Sequence, residues 1–325
     1  RPTVRAVKKV RRNSVDSTAT ARLQSMRRAA ASPTGTATRM FAALSMPATI
    51  DDNSRVDTAH SFTGRMCAAS RWIEGQRKDA LFADPLGYKL AGAEGRASPM
   101  GDWIMTPRTR FADDLVKEHY EGPAAARQLV LLGAGMDSRA FRMTGVDELA
   151  VYEVDQPTTF EIKESLVADE KLGVASRTTV ATDFTDRGAW AQQLAATSFD
   201  AAVPTVWILE GLLMYLSLRD TEDLMRQIGE LSAPGSVVFH DAVSANYVAG
   251  GRGPVVGGAP FIGGSDDYKG LWREHAGFGK GYARDFSSIK VDRAQRKLRF
   301  DDGVAEATPA RCRGNSVVLF VVAQK

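Results

Sequence analysis

Four apolar residues, Leu129 to Leu132, run straight into Gly133-Ala134-Gly135, and the polar turn Met136-Asp137-Ser138-Arg139 leads on into a helix-like segment. A buried parallel strand ends this way when its loop must let a nucleotide-like ligand touch the backbone. A side chain at Gly133 or Gly135 would hold such a ligand off, and glycine takes positive φ without steric cost. Ordinary tight turns use the same residues, so the surroundings decide between the two readings. At a spacing of 22 residues from Gly133 comes Asp155, at the end of a second apolar run, Leu149 to Asp155. An acid about 20 positions on, closing the second strand of a doubly wound sheet, accepts hydrogen bonds from ribose hydroxyls. The alternative is that Asp155 caps a helix or forms a turn before Gln156-Pro157.

The loop also restricts the ligand. A dinucleotide site carries a third glycine three residues after the second, where helix and strand pack closely. Ser138 holds that position, and no pyrophosphate cradle is evident. A ligand with ribose and adenine but no phosphates fits better, and S-adenosylmethionine is the commonest such cofactor. A nicotinamide dinucleotide, and with it an oxidoreductase, is the rival from another class.

Further along, strand and helix patterns alternate. Apolar runs lie at 128–132, 149–154, 178–181, 203–209, 236–240 and 316–323, with helical stretches at 158–169, 187–196 and 219–232 between them. Strands separated by helices of this length predict a parallel sheet covered on both faces. Ahead of the first strand, 62–72 and 79–90 read as short helices, the second interrupted at Asp84-Pro85, and 108–118 has helical period. Residues 248–281 are glycine-rich and follow no such pattern; a loop of that length is either a lid or binding loop or an inert insertion.

Composition bounds the rest. The chain has 325 residues, 44% of them hydrophobic, enough for one large core. Cys67 and Cys312 form neither a disulfide framework nor a metal quartet, and the four histidines show no zinc spacing, so no metal is expected. No apolar run approaches the ~20 residues of a membrane span. The net charge of +3 is uneven: residues 1–50 hold ten Lys or Arg against Asp16 alone, so residues 51–325 are net acidic. The basic tail, rich in Ser, Ala and Thr, has the composition of an organelle transit peptide. A nucleic-acid-binding arm is the rival, but interleaved aromatics are missing before Phe41. The expectation is a tail at 1–50 and one catalytic domain at 51–325, placed in a plastid or mitochondrion if the tail is an address and in the cytoplasm otherwise. No nucleic-acid partner is expected.

Five ordered segments together carry a resemblance. They are Leu81-Phe82-Ala83-Asp84-Pro85, Arg108-Thr109-Arg110-Phe111-Ala112-Asp113, Leu132 to Arg142, Tyr152 to Pro157, and Glu210-Gly211-Leu212-Leu213-Met214-Tyr215-Leu216. In this order and spacing the chain resembles the leucine carboxyl methyltransferase family, in its bacterial-type branch of S-adenosylmethionine-dependent O-methyltransferases, over roughly residues 62–325. The resemblance implies a Rossmann-like, doubly wound methyltransferase sheet with a helical N-terminal cap and a Gly-rich insertion.

The resemblance also implies roles. Arg108 matches the arginine that pairs with the cofactor's carboxylate, a task suited to a planar guanidinium; the plainer alternative is an ion pair with Asp113 or Asp114. Gly133, with Gly135 beside it, matches the glycine facing the methionine part, and Asp155 the ribose-binding acid. Asp183 and Phe184 match the adenine contact, unless Asp183 caps the following helix. Glu210 matches a glutamate beside the cofactor, with structural capping as the alternative. Arg71 lies near a basic position of the family, and Ser138 stands where the family commonly has Thr. His240-Asp241, at the end of an apolar run, offers His240 as a general base, or else a strand end satisfied by its neighbours. The activity implied is O-methylation of a small-molecule carboxylate or hydroxyl, with a protein C-terminal carboxylate as the alternative acceptor.

Overall fold

Successive side chains of a strand point to opposite faces of its sheet, and that period of two sorts this chain's apolar residues into two layers. The computed structural model describes residues 59–184, 188–251, 253–301 and 306–325. The basic segment 1–50 lies outside them, and with it the expectation of a targeting tail.

Three helices come first: α1 (Ala59–Gly75), α2 (Gly87–Ala97) and α3 (Asp102–Glu121). The alternating region follows as β1 (Gln128–Leu132), α4 (Arg139–Arg142), β2 (Ala150–Asp155), α5 (Pro157–Val167), β3 (Ser176–Ala181), α6 (Ala189–Ala195), β4 (Thr205–Leu209), α7 (Leu218–Glu230) and β5 (Val237–Val243). Then come α8 (Ala245–Val248), a small hairpin of β6 (Val255–Val256) and β7 (Ala259–Pro260), and α9 (Tyr268–Ala276). The chain closes with β8 (Lys280–Asp285), the ladder of β9 (Ile289–Asp292) with β10 (Lys297–Phe300), α10 (Pro309–Cys312) and β11 (Val318–Gln324).

The main sheet has seven strands in the order β3-β2-β1-β4-β5-β11-β8. β1 to β5 are mutually parallel, while β11 runs antiparallel to both β5 and β8. On one face Val130, Leu132, Trp207, Leu209, Val238 and Val321 pack with Leu224, Ile228 and Trp272 of α7 and α9. On the other, Leu129, Leu131, Val206, Ile208, Phe239 and Phe320 pack with Phe111, Leu115 and Val116 of α3. Burying both faces is why these strands read as continuous apolar runs rather than alternating ones.

Three local expectations need correction. Residues 79–86 are turns rather than helix, and α2 starts only at Gly87. Pro85 disfavours helical geometry at Asp84, whose Oδ1 accepts the Gly87 N–H at 3.0 Å. The helix expected over 108–118 is longer, from Asp102, with Pro107 inside it. The Gly-rich stretch 248–281 is not a structureless loop: it holds the β6–β7 hairpin and α9, and it leads into β8, a seventh strand that the apolar runs did not reveal. β8 is an edge strand with a single buried residue, Ala283, so its composition lacks the apolar signature of the inner strands.

Candidate active site

The strand order reverses between β1 and β4, and a crevice for ligands forms outside the carboxyl ends of strands at such a point. The loops after β1, β2, β4 and β5 all meet there. Gly133 has φ +69° and Gly135 φ +47°, both left-handed, and a Cβ on Gly133 would lie 3.3 Å from Leu212 Cδ1. Asp155 shapes this loop: its Oδ2 accepts the Gly135 N–H at 2.6 Å and its Oδ1 accepts the N–H of Gln156 at 2.7 Å. Burial raises the pKa of the Asp155 carboxyl, against the pull of these backbone donors. The Thr159 hydroxyl is a third donor to it, and since a carboxylate offers about four lone-pair positions, capacity remains for a ligand hydroxyl. The N-cap of α5 is Gln156, not Asp155.

From above, α1 covers the glycine loop. A Cβ on Gly64 would meet Met136 N at 3.3 Å and Gly135 Cα at 3.5 Å, so the helix packs tightly on the loop and a side chain here would press on its backbone. Arg71 of the same helix donates to Asp84 at 2.8 Å and to the Met136 carbonyl. Its guanidinium is therefore spent on tying α1, the turn before α2 and the β1 loop together.

Beneath α1 lies a network of buried charge. Arg108, on α3, donates through Nη1 to Asp241 Oδ2 at 2.9 Å, and its Nη2 sits against Met105 Sδ and Cys67 Sγ at 3.2 and 3.6 Å. Neither Asp113 nor Asp114 is its partner: Asp113 binds Arg139 and Arg142, and Asp114 binds Arg110. Glu210, immediately after β4, accepts at Oε2 from Arg139 Nη1 at 2.7 Å, while its Oε1 lies 3.6 Å from Arg108 Nε. Arg139 also binds Asp113 and Asp137, with its side chain only 1% exposed. Burial works against the Asp137 charge, but Arg139, Arg71 and Arg142 hold its carboxyl well below the usual range. Glu210 is thus clamped by an arginine and does not act as a cap. Arg108 Nε and Glu210 Oε1 are buried and, among the described residues, have no hydrogen-bond partner.

His240 does not join the site. Its Nε2 accepts the Trp272 Nε1–H at 2.9 Å, and its Nδ1 faces the Asp241 carbonyl at 3.4 Å. Both nitrogens are committed, and the side chain is fully buried. Burial lowers its pKa to about 4. The proposal of His240 as general base is therefore corrected. The cause is strand geometry: neighbours on β5 face opposite ways, so His240 enters the layer of α9 while Asp241 faces α3 and Arg108. Asp183 and Phe184 follow β3, next to β2, where the Thr182 N–H bonds the Asp155 carbonyl at 2.8 Å. Asp183 is exposed, Phe184 is partly buried against the core, and the N-cap of α6 is Gly188 rather than Asp183.

Several site residues escaped the motif reading. Asp241 was signalled only as the neighbour of His240. Arg139 sits inside a quoted motif, but nothing local says that its side chain turns toward Glu210. Tyr215, hydrogen-bonded to Thr63 of α1, stands near Cys67, Arg108 and Asp241, and burial pushes its phenol well above the ordinary value.

A doubly wound sheet with an antiparallel final pair, a glycine loop after β1 and an acid ending β2 defines a Rossmann-like methyltransferase fold. The leucine carboxyl methyltransferase family model matches residues 65–229, half of the sequence, and the chain belongs to that family. A Streptomyces coelicolor protein whose name proposes an S-adenosyl-L-methionine-dependent methyltransferase is 43% identical over 185 residues; the match covers 52% of this chain and 64% of that one. A similarly named Mycolicibacterium vanbaalenii protein is 35% identical over 227 residues, covering 61% and 73%. The chain thus spans somewhat under two thirds of the Streptomyces relative. Among solved structures, a DUF574 family protein from Streptomyces avermitilis superposes with a TM-score of 0.51 at 15% identity, covering 83% of this chain and all of that one, which speaks for the fold. No helix among the described residues is long and apolar enough to cross a membrane.

Proposed function

We propose that this protein is an S-adenosylmethionine-dependent methyltransferase that methylates an oxygen of a small molecule. The observation that carries the reading is the pair Arg108 Nε and Glu210 Oε1, a buried donor beside a buried acceptor at the carboxyl edge of the sheet, each lacking a hydrogen-bond partner among the described residues. An unmet buried donor or acceptor costs about 1–3 kcal/mol, and a zwitterionic amino-acid end supplies an oxygen for the one and an ammonium for the other. The residues present fit the cofactor on this count. They fit it on a second: Gly133 leaves bare backbone beside the crevice, and Asp155 keeps acceptor capacity for a ribose hydroxyl. The family and its named relatives support the same assignment.

When bound, S-adenosylmethionine supplies a methyl group on a sulfonium, already a strong electrophile. The chain's task is then positioning and the exclusion of water. Arg108 and Glu210 would hold the amino-acid end, Gly133 and Gly135 would admit the ligand against the backbone, Asp155 would hold the ribose, and Asp183 with Phe184 would meet the adenine. α1, tied down by Arg71, roofs the loop. With His240 committed to Trp272, we favour an acceptor that needs no strong base, a carboxylate or an acidic hydroxyl. Calorimetry with S-adenosylmethionine and with NAD tests the assignment: heat with the first alone, weakened by Asp155→Ala, is expected. Binding of NAD instead, or indifference to that substitution, would overturn it.

A further inference from the structure

Asp241 lies on β5, beyond the segments that carry the family motifs, yet it joins two parts of the crevice. Its Oδ2 accepts from Arg108 Nη1 at 2.9 Å, and its Oδ1 accepts the Gly211 N–H at 2.6 Å. The residue is 2% exposed. Gly211 follows Glu210 directly and is left-handed, with φ +66°; a Cβ there would come within 3.3 Å of Arg108 Nη1. One carboxylate therefore sets the distance between the arginine of α3 and the turn that carries Glu210.

We infer that Asp241 is a positioning residue: it holds the outer fork of Arg108 so that the guanidinium edge bearing Nε stays open toward a ligand rather than closing on Glu210. The geometry requires such a restraint. Arg108 Nε and Glu210 Oε1 are 3.6 Å apart, an attractive pair just short of a hydrogen bond. Among the described residues, the remaining nitrogen, Nη2, donates toward the sulfurs of Met105 and Cys67, which are weak acceptors. Glu210 is fixed from behind by Arg139, so closure would have to come from movement of Arg108. Asp241 is the hydrogen-bonded carboxylate that opposes it, and the Gly211 N–H fixes Asp241 in turn.

The inference rests on the proposed binding of S-adenosylmethionine, and it predicts which half of the ligand feels Asp241. Arg108 and the Gly211 N–H face different oxygens of Asp241, and asparagine puts an NH2 group, which only donates, in the place of one of them, so one of the two donors loses its acceptor. Calorimetry of Asp241→Asn with S-adenosylhomocysteine should show an affinity loss of about 10- to 100-fold, the range for a hydrogen bond to a charged group. Binding of 5′-methylthioadenosine, which lacks the amino-acid end, should stay within about twofold of the parent. Arg108→Gln should lose a similar factor for S-adenosylhomocysteine, and the double variant should lose little more, as coupled residues do.

Equal weakening of both ligands in Asp241→Asn would make the residue structural and overturn the inference, as would simple additivity with Arg108→Gln. Should Asp241→Asn fail to fold, the same comparison is made with Asp241→Glu, which keeps both oxygens. Selective loss of S-adenosylhomocysteine affinity through the displaced carboxylate supports the inference, and unchanged affinity overturns it. If the parent protein binds neither ligand, the proposed function itself fails, an outcome distinct from a parent that binds and variants that do not discriminate.

Discussion

Arg139 shows how much a single side chain can hold together. It is almost wholly buried, and its guanidinium meets Asp113, Asp137 and Glu210. Removing one partner of a buried charge network leaves the others uncompensated, a loss of about 3–5 kcal/mol. Arg139→Met is therefore expected to lower unfolding stability by that order in urea titrations, and a variant as stable as the parent would contradict this account of the network. Gly133 carries a different constraint. Alanine at φ +69° costs about 1–2 kcal/mol, and its Cβ would press on Leu212 at the mouth of the crevice. Gly133→Ala should fold with a modest loss of stability and bind S-adenosylhomocysteine at least about tenfold more weakly, measured by calorimetry. Asp155 is legible by its spacing from Gly133, because the spacing follows from one strand, one short helix and a second strand. Its bond to the Gly135 N–H is not legible, since it depends on the curl of a loop in space.

At the scale of elements, the inner strands and the helices α5, α6 and α7 can be read from the sequence because each buries a face, and the burial leaves a period in the residues. β8 could not be read, since Lys280, Arg284 and Asp285 leave it no apolar run, whereas the opposite edge strand β3 ends in Val180-Ala181. α9 escaped for another reason: it sits within a glycine-rich stretch whose composition masks the pattern of Tyr268, Trp272 and Ala276, all buried against the core. The roof helix α1 approaches the glycine loop closely at Gly64, where a branched side chain would have to push the loop or the helix aside. Gly64→Val should push α1 away from Met136 and weaken S-adenosylhomocysteine binding, while the denaturant slope m stays close to that of the parent. Changed m with unchanged affinity would instead mean that α1 contributes to the fold and not to the site.

For the whole molecule, the layer under β5 makes stability depend on pH. His240 is neutral and buried, with its pKa lowered to about 4 by desolvation. The unfolded chain, with an ordinary histidine near 6.5, takes up the proton first as pH falls. This contribution is therefore complete above about pH 6.5 and is lost progressively toward pH 4, amounting to about 2 kcal/mol by pH 5. Urea unfolding at pH 7.5 and pH 5 should show that loss in the parent but not in His240→Gln, which keeps an acceptor for Trp272; an equal drop in both would assign it to other groups. The same layer separates what sequence and structure each decided. The order of apolar runs, the glycine loop, Asp155 at its spacing and the ordered motifs by themselves determined a doubly wound methyltransferase fold, because these are properties of neighbours along the chain. Only the tertiary structure decided that His240 belongs to the core and Asp241 to the crevice, that Arg108 meets Asp241 and not Asp113, and that Arg139 stands behind Glu210. Those choices depend on which face of a strand meets which helix, and that is settled only when both faces of the sheet are buried.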